Sequence, residues 1–89
     1  MKRILKYRLG RDGEEIVIND KIEKILHVES QAGWPTVWAL VDEGKGKTNI
    51  KCVGTGWGID EEDLLGWEYI GTAIDALGCV WHYFSSSWE

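Results

Sequence analysis

The chain has 89 residues, a net charge of −5 and six tryptophans (Trp34, Trp38, Trp57, Trp67, Trp81 and Trp88), where a domain of this length ordinarily carries about one or two. That charge excludes binding to nucleic acid through a broad basic face, which needs cations to release counterions. The longest apolar run, Val37 to Val41, falls far short of the ~20 residues of a membrane span, so no membrane partner is expected.

In chain order the pattern is β almost throughout, with short branched and aromatic runs punctuated by eleven glycines. Strands are expected at Arg3–Leu9, Glu14–Ile18, Lys24–Gln31, Thr36–Asp42, Asn49–Thr55, Glu68–Ile74 and Cys79–Ser85. Gly10 to Gly13, Asn19-Asp20, Gly33-Trp34-Pro35, Gly44 to Gly46 and Gly78 supply the turn chemistry between them. Alternation sends Val37, Ala39 and Val41 to one face and Trp38, Leu40 and Asp42 to the other. It divides Cys79, Trp81 and Tyr83 from Val80, His82 and Phe84 in the same way. Both strands are apolar on two faces and should be central. One helical turn is expected at Asp60–Leu65, capped by Asp60. The whole reads as a single all-β domain over residues 1–89, a compact antiparallel meander of about seven short strands closed into a small barrel or folded into a sandwich.

A domain this small buries only about 60–65% of its unfolded surface, so some tryptophans must thicken a thin core. Trp38 and Trp81, at mid-strand, are expected there. Trp34, Trp57, Trp67 and Trp88 fall in turns or the tail and are candidates for a surface. The first eleven residues hold five cations (Lys2, Arg3, Lys6, Arg8 and Arg11), read as protection of an edge strand against unwanted pairing. No apolar run follows them, so no export signal is expected. In an intracellular setting Cys52 and Cys79 are expected as reduced, packed thiols.

Several of these stretches, taken in order, resemble a family of small phage-encoded proteins of unknown function. The likeness rests on Ile4-Leu5-Lys6-Tyr7-Arg8-Leu9, Lys24-Ile25-Leu26-His27-Val28, Trp38-Ala39-Leu40-Val41-Asp42, Val53-Gly54-Thr55-Gly56, Tyr69-Ile70-Gly71-Thr72 and Val80-Trp81-His82-Tyr83-Phe84. It implies a phage or prophage accessory protein, a compact β domain and action in the host cytoplasm. It implies no activity. The chain departs from the family pattern at its acidic insert, residues 60–66, and its tail, residues 85–89.

Chemistry-bearing constellations are few. His27, Cys52, Cys79 and His82 are zinc-ligating types but lack close pairs, and Cys79 and His82 point to opposite faces of one strand, so no metal is expected. Gly54, Thr55, Gly56, Trp57 and Gly58 could cradle an anion, yet they lack the lysine and the following helix of a phosphate loop. Asp60, Glu61, Glu62 and Asp63 form an exposed acidic run, without the differential burial that acid–base catalysis needs. No enzyme and no cofactor are expected. The leading expectation is a non-enzymatic protein that docks a host protein, a defence component being one version. Trp57, Trp67 and Trp88 would anchor it while Asp60, Glu61, Glu62 and Asp63 steer a basic partner. The alternative is a nucleotide-like small molecule held by residues 54–58 in an oligomer. A homo-oligomer is expected in either case.

Overall fold

The computed structural model describes residues 1–88, with Ser87 and Trp88 described by backbone alone. The elements run β1 (Lys2–Arg8), β2 (Ile16–Gln31), β3 (Trp34–Gly54), a 3-10 turn (Glu61–Leu64), β4 (Glu68–Ile74) and β5 (Val80–Trp88). All pairings are antiparallel, and the strands form one sheet curled into a half-barrel.

The length of β3 dictates this shape. Its 21 residues would span ~70 Å if extended at about 3.3 Å each. The longest dimension of the molecule is 38 Å. So β3 must fold back on itself, and it does so at Gly44 and Gly46, whose φ angles of 71° and 104° suit glycine. β2 follows the bend by breaking register between Ile18 and Asp20. Backbone groups lost from the ladder there find side-chain partners. Thr48 Oγ1 donates to Asp20 O (3.1 Å) and accepts from the Ile22 N–H (3.3 Å). The Asp20 carboxylate accepts from the Gly44 N–H (2.9 Å) and from the Tyr7 hydroxyl (2.8 Å). Burial, and then the Asp20 carboxylate, push the Tyr7 phenol well above its usual range.

Asn19-Asp20 and Gly44 to Gly46 therefore bend strands where turns were expected. The strands expected at 14–18 and 24–31 merge into β2, those at 36–42 and 49–55 merge into β3, and seven become five. The order also differs from a plain meander. Val41 pairs with both Arg3 and Ile22, and Ile50 with both Ile16 and Ser85. Thus β2 lines one edge of β3, while β1 and then β5 line the other. β4 completes the sheet beside β5.

The central position expected for two strands holds for β3 and β5. Val37, Ala39, Val41, Ile50 and Cys52 of β3 are buried, as are Trp81 and Tyr83 of β5. Leu9, Ile18 and Ala73 join the core cluster. Trp81 is 5% exposed, a core residue as expected. Trp38 is only half-buried, because it faces away from that core and its ring leans on exposed His27 (centroids 5.9 Å apart). Cys52 is packed, and burial pushes its thiol up. Cys79 is instead exposed, ahead of β5 rather than within it.

β4 approaches β2 across a seam that side chains close at one end. A Cβ on Gly71 would lie 2.6 Å from Val28 Cβ. Ser30 Oγ also donates to the Ile74 carbonyl. At the other end the seam opens into a cleft of about 440 Å³ lined by Ile22, Ile25, Tyr69 and Ile70 among others.

Because β3 doubles back, its two ends meet at one pole. The Leu9 N–H donates to Pro35 O (2.9 Å), the Tyr83 hydroxyl to Gly10 O (2.7 Å) and the Ala76 N–H to Gly33 O (3.0 Å). These bonds gather the loop after β1, the β2–β3 hairpin and the β4–β5 turn.

Candidate functional site

Two regions collect the residues that the sequence singled out. The first is the outer face of the β3–β5–β4 half. Register places Lys51 beside Phe84 and Phe84 beside Tyr69, then Val53 beside His82 and His82 beside Thr72. Tyr69 is exposed on this face, and Lys51, Val53, Thr72, His82 and Phe84 are half-buried. The Tyr69 and Phe84 rings meet edge to face at 5.7 Å, and Tyr69 remains 56% exposed. Lys51 Nζ sits 4.3 Å from the Trp67 ring centroid and donates to Asp63 O (2.6 Å). One lysine thus fastens the 3-10 turn to the sheet through a cation–π contact and a charged hydrogen bond.

That turn carries the acidic run. The Asp63 N–H donates to Asp60 O (2.9 Å), and the Asp60 N–H returns a bond to Asp63 Oδ2 (3.3 Å). Asp60, Glu61, Glu62 and Asp63 are all exposed, with exposed Leu65 beyond them. The helical turn expected at 60–65 is present in this shortened form, with Asp60 at its cap.

A chain of polar groups crosses the same face. Thr55 Oγ1 lies 2.6 Å from His82 Nε2, His82 Nδ1 lies 2.9 Å from Thr72 Oγ1, and Thr72 Oγ1 lies 2.6 Å from the Tyr69 hydroxyl. The His82 ring of β5 is thus tied at one nitrogen to Thr55, just past the end of β3, and at the other to Thr72 of β4. Tyr69, Phe84, His82, Thr72 and Lys51 were not foreseen as site residues. Their shared face depends on cross-strand register, and the only local signal was the outward parity of His82 and Phe84.

The second region is the pole. Gly54, Thr55 and Trp57 line a cleft of about 320 Å³ with Cys79, Val80 and Trp81. The Trp57 ring stands edge-on to Trp81 with centroids 5.5 Å apart, and is 48% exposed. Trp81 Nε1 donates to Asp75 Oδ2 (2.9 Å), and the Leu77 and Cys79 N–H groups donate to Asp75 Oδ1 (2.9 and 3.0 Å). The Trp81 bond leads in holding this carboxyl below the usual carboxylate range, against the opposing effect of burial.

The structure thus divides Trp57 from the acidic run and Trp67. Trp57 folds inward over Gly54, and Trp67 lies outward against Lys51. Gly56 and Gly58 are exposed beside the pole cleft and do not line it. The Trp88 side chain lies outside the described residues. Trp34 belongs to the pole, with Nε1 bonded to Leu9 O at 3.0 Å. His27, Cys52, Cys79 and His82 are scattered over an outer strand, the core, a turn and the outer face. Among the described residues no group of three or more His, Cys, Asp or Glu side chains is placed to hold a metal ion. Among the described residues no helix is long and apolar enough to cross a membrane.

No curated protein and no solved structure matches the chain. A family model described as a domain of unknown function, DUF7352, matches residues 1–89, and the chain therefore belongs to the DUF7352 family.

Proposed function

We propose that this domain is a non-enzymatic binding protein that docks a basic protein surface on the outer face of β3, β5 and β4. The observation that carries the reading is an aromatic row, exposed Tyr69 with half-buried Trp67 and Phe84, with the exposed carboxylates of Asp60, Glu61, Glu62 and Asp63 beside Trp67. Aromatic side chains are the usual anchors of interfaces, and rim charges raise the association rate and select the sign of the partner. A pinned 3-10 turn and a histidine bonded on both nitrogens leave little to order on binding, which lowers its entropic cost. Trp57 belongs to the pole rather than to this face. The resemblance to phage-encoded proteins makes a host protein, such as a defence component in the host cytoplasm, the natural partner.

The test is native mass spectrometry of tagged protein purified gently from its host. The wild type should carry a stoichiometric basic host protein, and the Glu61→Lys, Glu62→Lys, Asp63→Lys triple variant should lose it without losing thermal stability. A partner retained by the triple variant refutes the site.

A second reading rests on the pole cleft, whose walls are Gly54, Thr55, Trp57 and Trp81. Its volume suits one flat group, and a small molecule sequestered there, in a monomer or an oligomer, would appear in the same spectra as an adduct of small mass.

A further inference from the structure

We propose that Arg8, Arg11 and Trp34 form a binding site for an oxyanion of the phosphate class. The cations of the first eleven residues fall into two groups. Lys2 pairs with Glu23 (3.0 Å), Arg3 with Glu43 (2.8 Å), and Lys6 donates to Gln31 Oε1 (2.7 Å). Arg8 and Arg11 differ. Among the described residues neither has a carboxylate at ion-pair distance, and both guanidinium carbons lie over the Trp34 ring, 5.2 and 4.3 Å from its centroid.

The platform beneath them is fixed at several points. Trp34 Nε1 donates to the carbonyl of buried Leu9 (3.0 Å), and the Leu9 N–H donates to Pro35 O (2.9 Å). Arg8 ends β1 opposite Thr36, and the Arg11 carbonyl accepts from the Glu14 N–H (3.0 Å). The indole thus collects two like charges around one ring. A ring face attracts each guanidinium but offers no acceptor to its forked N–H groups. A tetrahedral oxyanion supplies bidentate acceptors to both and cancels their repulsion. The Asp75 carboxylate is near enough to feel the Arg11 charge but makes no ion pair with it. Asp75 spends both oxygens on the Trp81, Leu77 and Cys79 N–H groups, and exposed Asp12 and Glu14 pair with neither arginine. The site shares no residue with the outer docking face, so either can fail without the other.

Two-dimensional NMR of the tryptophan Nε1–H and arginine Nε–H signals tests this, with pyrophosphate and adenosine diphosphate titrated separately at constant ionic strength. Saturable shifts of the Trp34 and arginine signals are expected. Arg8→Lys and Arg11→Lys should each weaken binding about tenfold, because an ammonium cannot bind bidentately. Arg8→Ala with Arg11→Ala should abolish it while the melting curve stays in place. Tighter binding of the diphosphate nucleotide, with the Trp57 signal also moving, identifies a nucleotide as the source of the phosphate. Equal binding identifies a free oxyanion. The absence of saturable shifts, or shifts that survive in the double alanine variant, overturns the assignment.

Discussion

Replacing Gly33 by alanine is the sharpest probe of how the pole is assembled. Gly33 has φ +79°, and a Cβ there would lie 2.8 Å from Ala76 Cβ in the β4–β5 turn. Two costs follow. A left-handed alanine loses about 1–2 kcal/mol. Parting two backbones that the Ala76 N–H···O Gly33 bond (3.0 Å) holds together adds an overpacking term of about 1–3 kcal/mol. Gly33→Ala should therefore destabilise the domain by about 2–5 kcal/mol, a fall in Tm of roughly 8–40 °C at this size. Ala76 is exposed, so Ala76→Gly alone should cost only about 0.5–1 kcal/mol. In the double variant the contact term vanishes and the backbone term remains, which predicts a favourable coupling of about 1–3 kcal/mol. Urea unfolding followed by tryptophan fluorescence measures all four corners of the cycle. Energies that add within about 0.5 kcal/mol would mean that the hairpin tip and the β4–β5 turn do not touch, and the closed pole would be wrong.

Three further outcomes are expected. Ala32 sits at φ 52° in the two-residue loop between Gln31 and Trp34, so Ala32→Asn, which suits such a hairpin turn, should raise stability by about 0.5–1 kcal/mol in the same urea assay. Tyr83→Phe removes the donor to Gly10 O (2.7 Å) in a fully buried setting and should cost about 1–3 kcal/mol, seen as a lower urea midpoint at unchanged slope. The folded Asp75 carboxyl has a depressed pKa, so its stabilisation is complete above the unfolded value of about 3.9 and is lost as pH falls through the folded value. Asp75→Asn should flatten the acid limb of the stability curve below about pH 4, and an unchanged limb would show that this carboxyl carries none of it.

Local patterns in the sequence carried the β class, the inward faces of β3 and β5 and the capped turn near residue 60, because each rests on neighbours within a few residues. The alternation Val37, Ala39, Val41 needs only the pleat. The strand count failed at Asn19-Asp20 and Gly44 to Gly46, where turn residues bend a strand and pairing continues on both sides. Whether glycine ends a strand or bends it depends on what lies alongside. Here the Thr48 and Asp20 side chains replace the lost ladder bonds while Tyr7 holds the Asp20 carboxylate, and those residues are far apart in the chain. Trp38 failed for a related reason. An apolar strand face is buried only if a second layer covers it, and this sheet spends its curl on one side.

The division of Trp57 from Trp67 follows from the absence of one side chain. Gly54 ends β3 on the inward parity, opposite Trp81. A Cβ there would lie 2.6 Å from Trp57 Nε1 and Cε2 and 3.0 Å from Trp81 Cζ3, so the Trp57 ring occupies the volume that any other residue would fill. Trp57 is thereby drawn over the core end, while Lys51, of opposite parity, draws Trp67 and the acidic turn to the outer face. Adjacency in sequence had joined the two tryptophans to one acidic surface, and strand parity separates them. If that account is right, Gly54→Ala should expel Trp57 from Trp81 and raise its solvent exposure, seen as a red-shifted fluorescence. The Trp67 indole signal and the outer-face binding should not move. A shift of both signals together would mean that the two tryptophans share one surface after all, and that the acidic turn and the pole act as a single site.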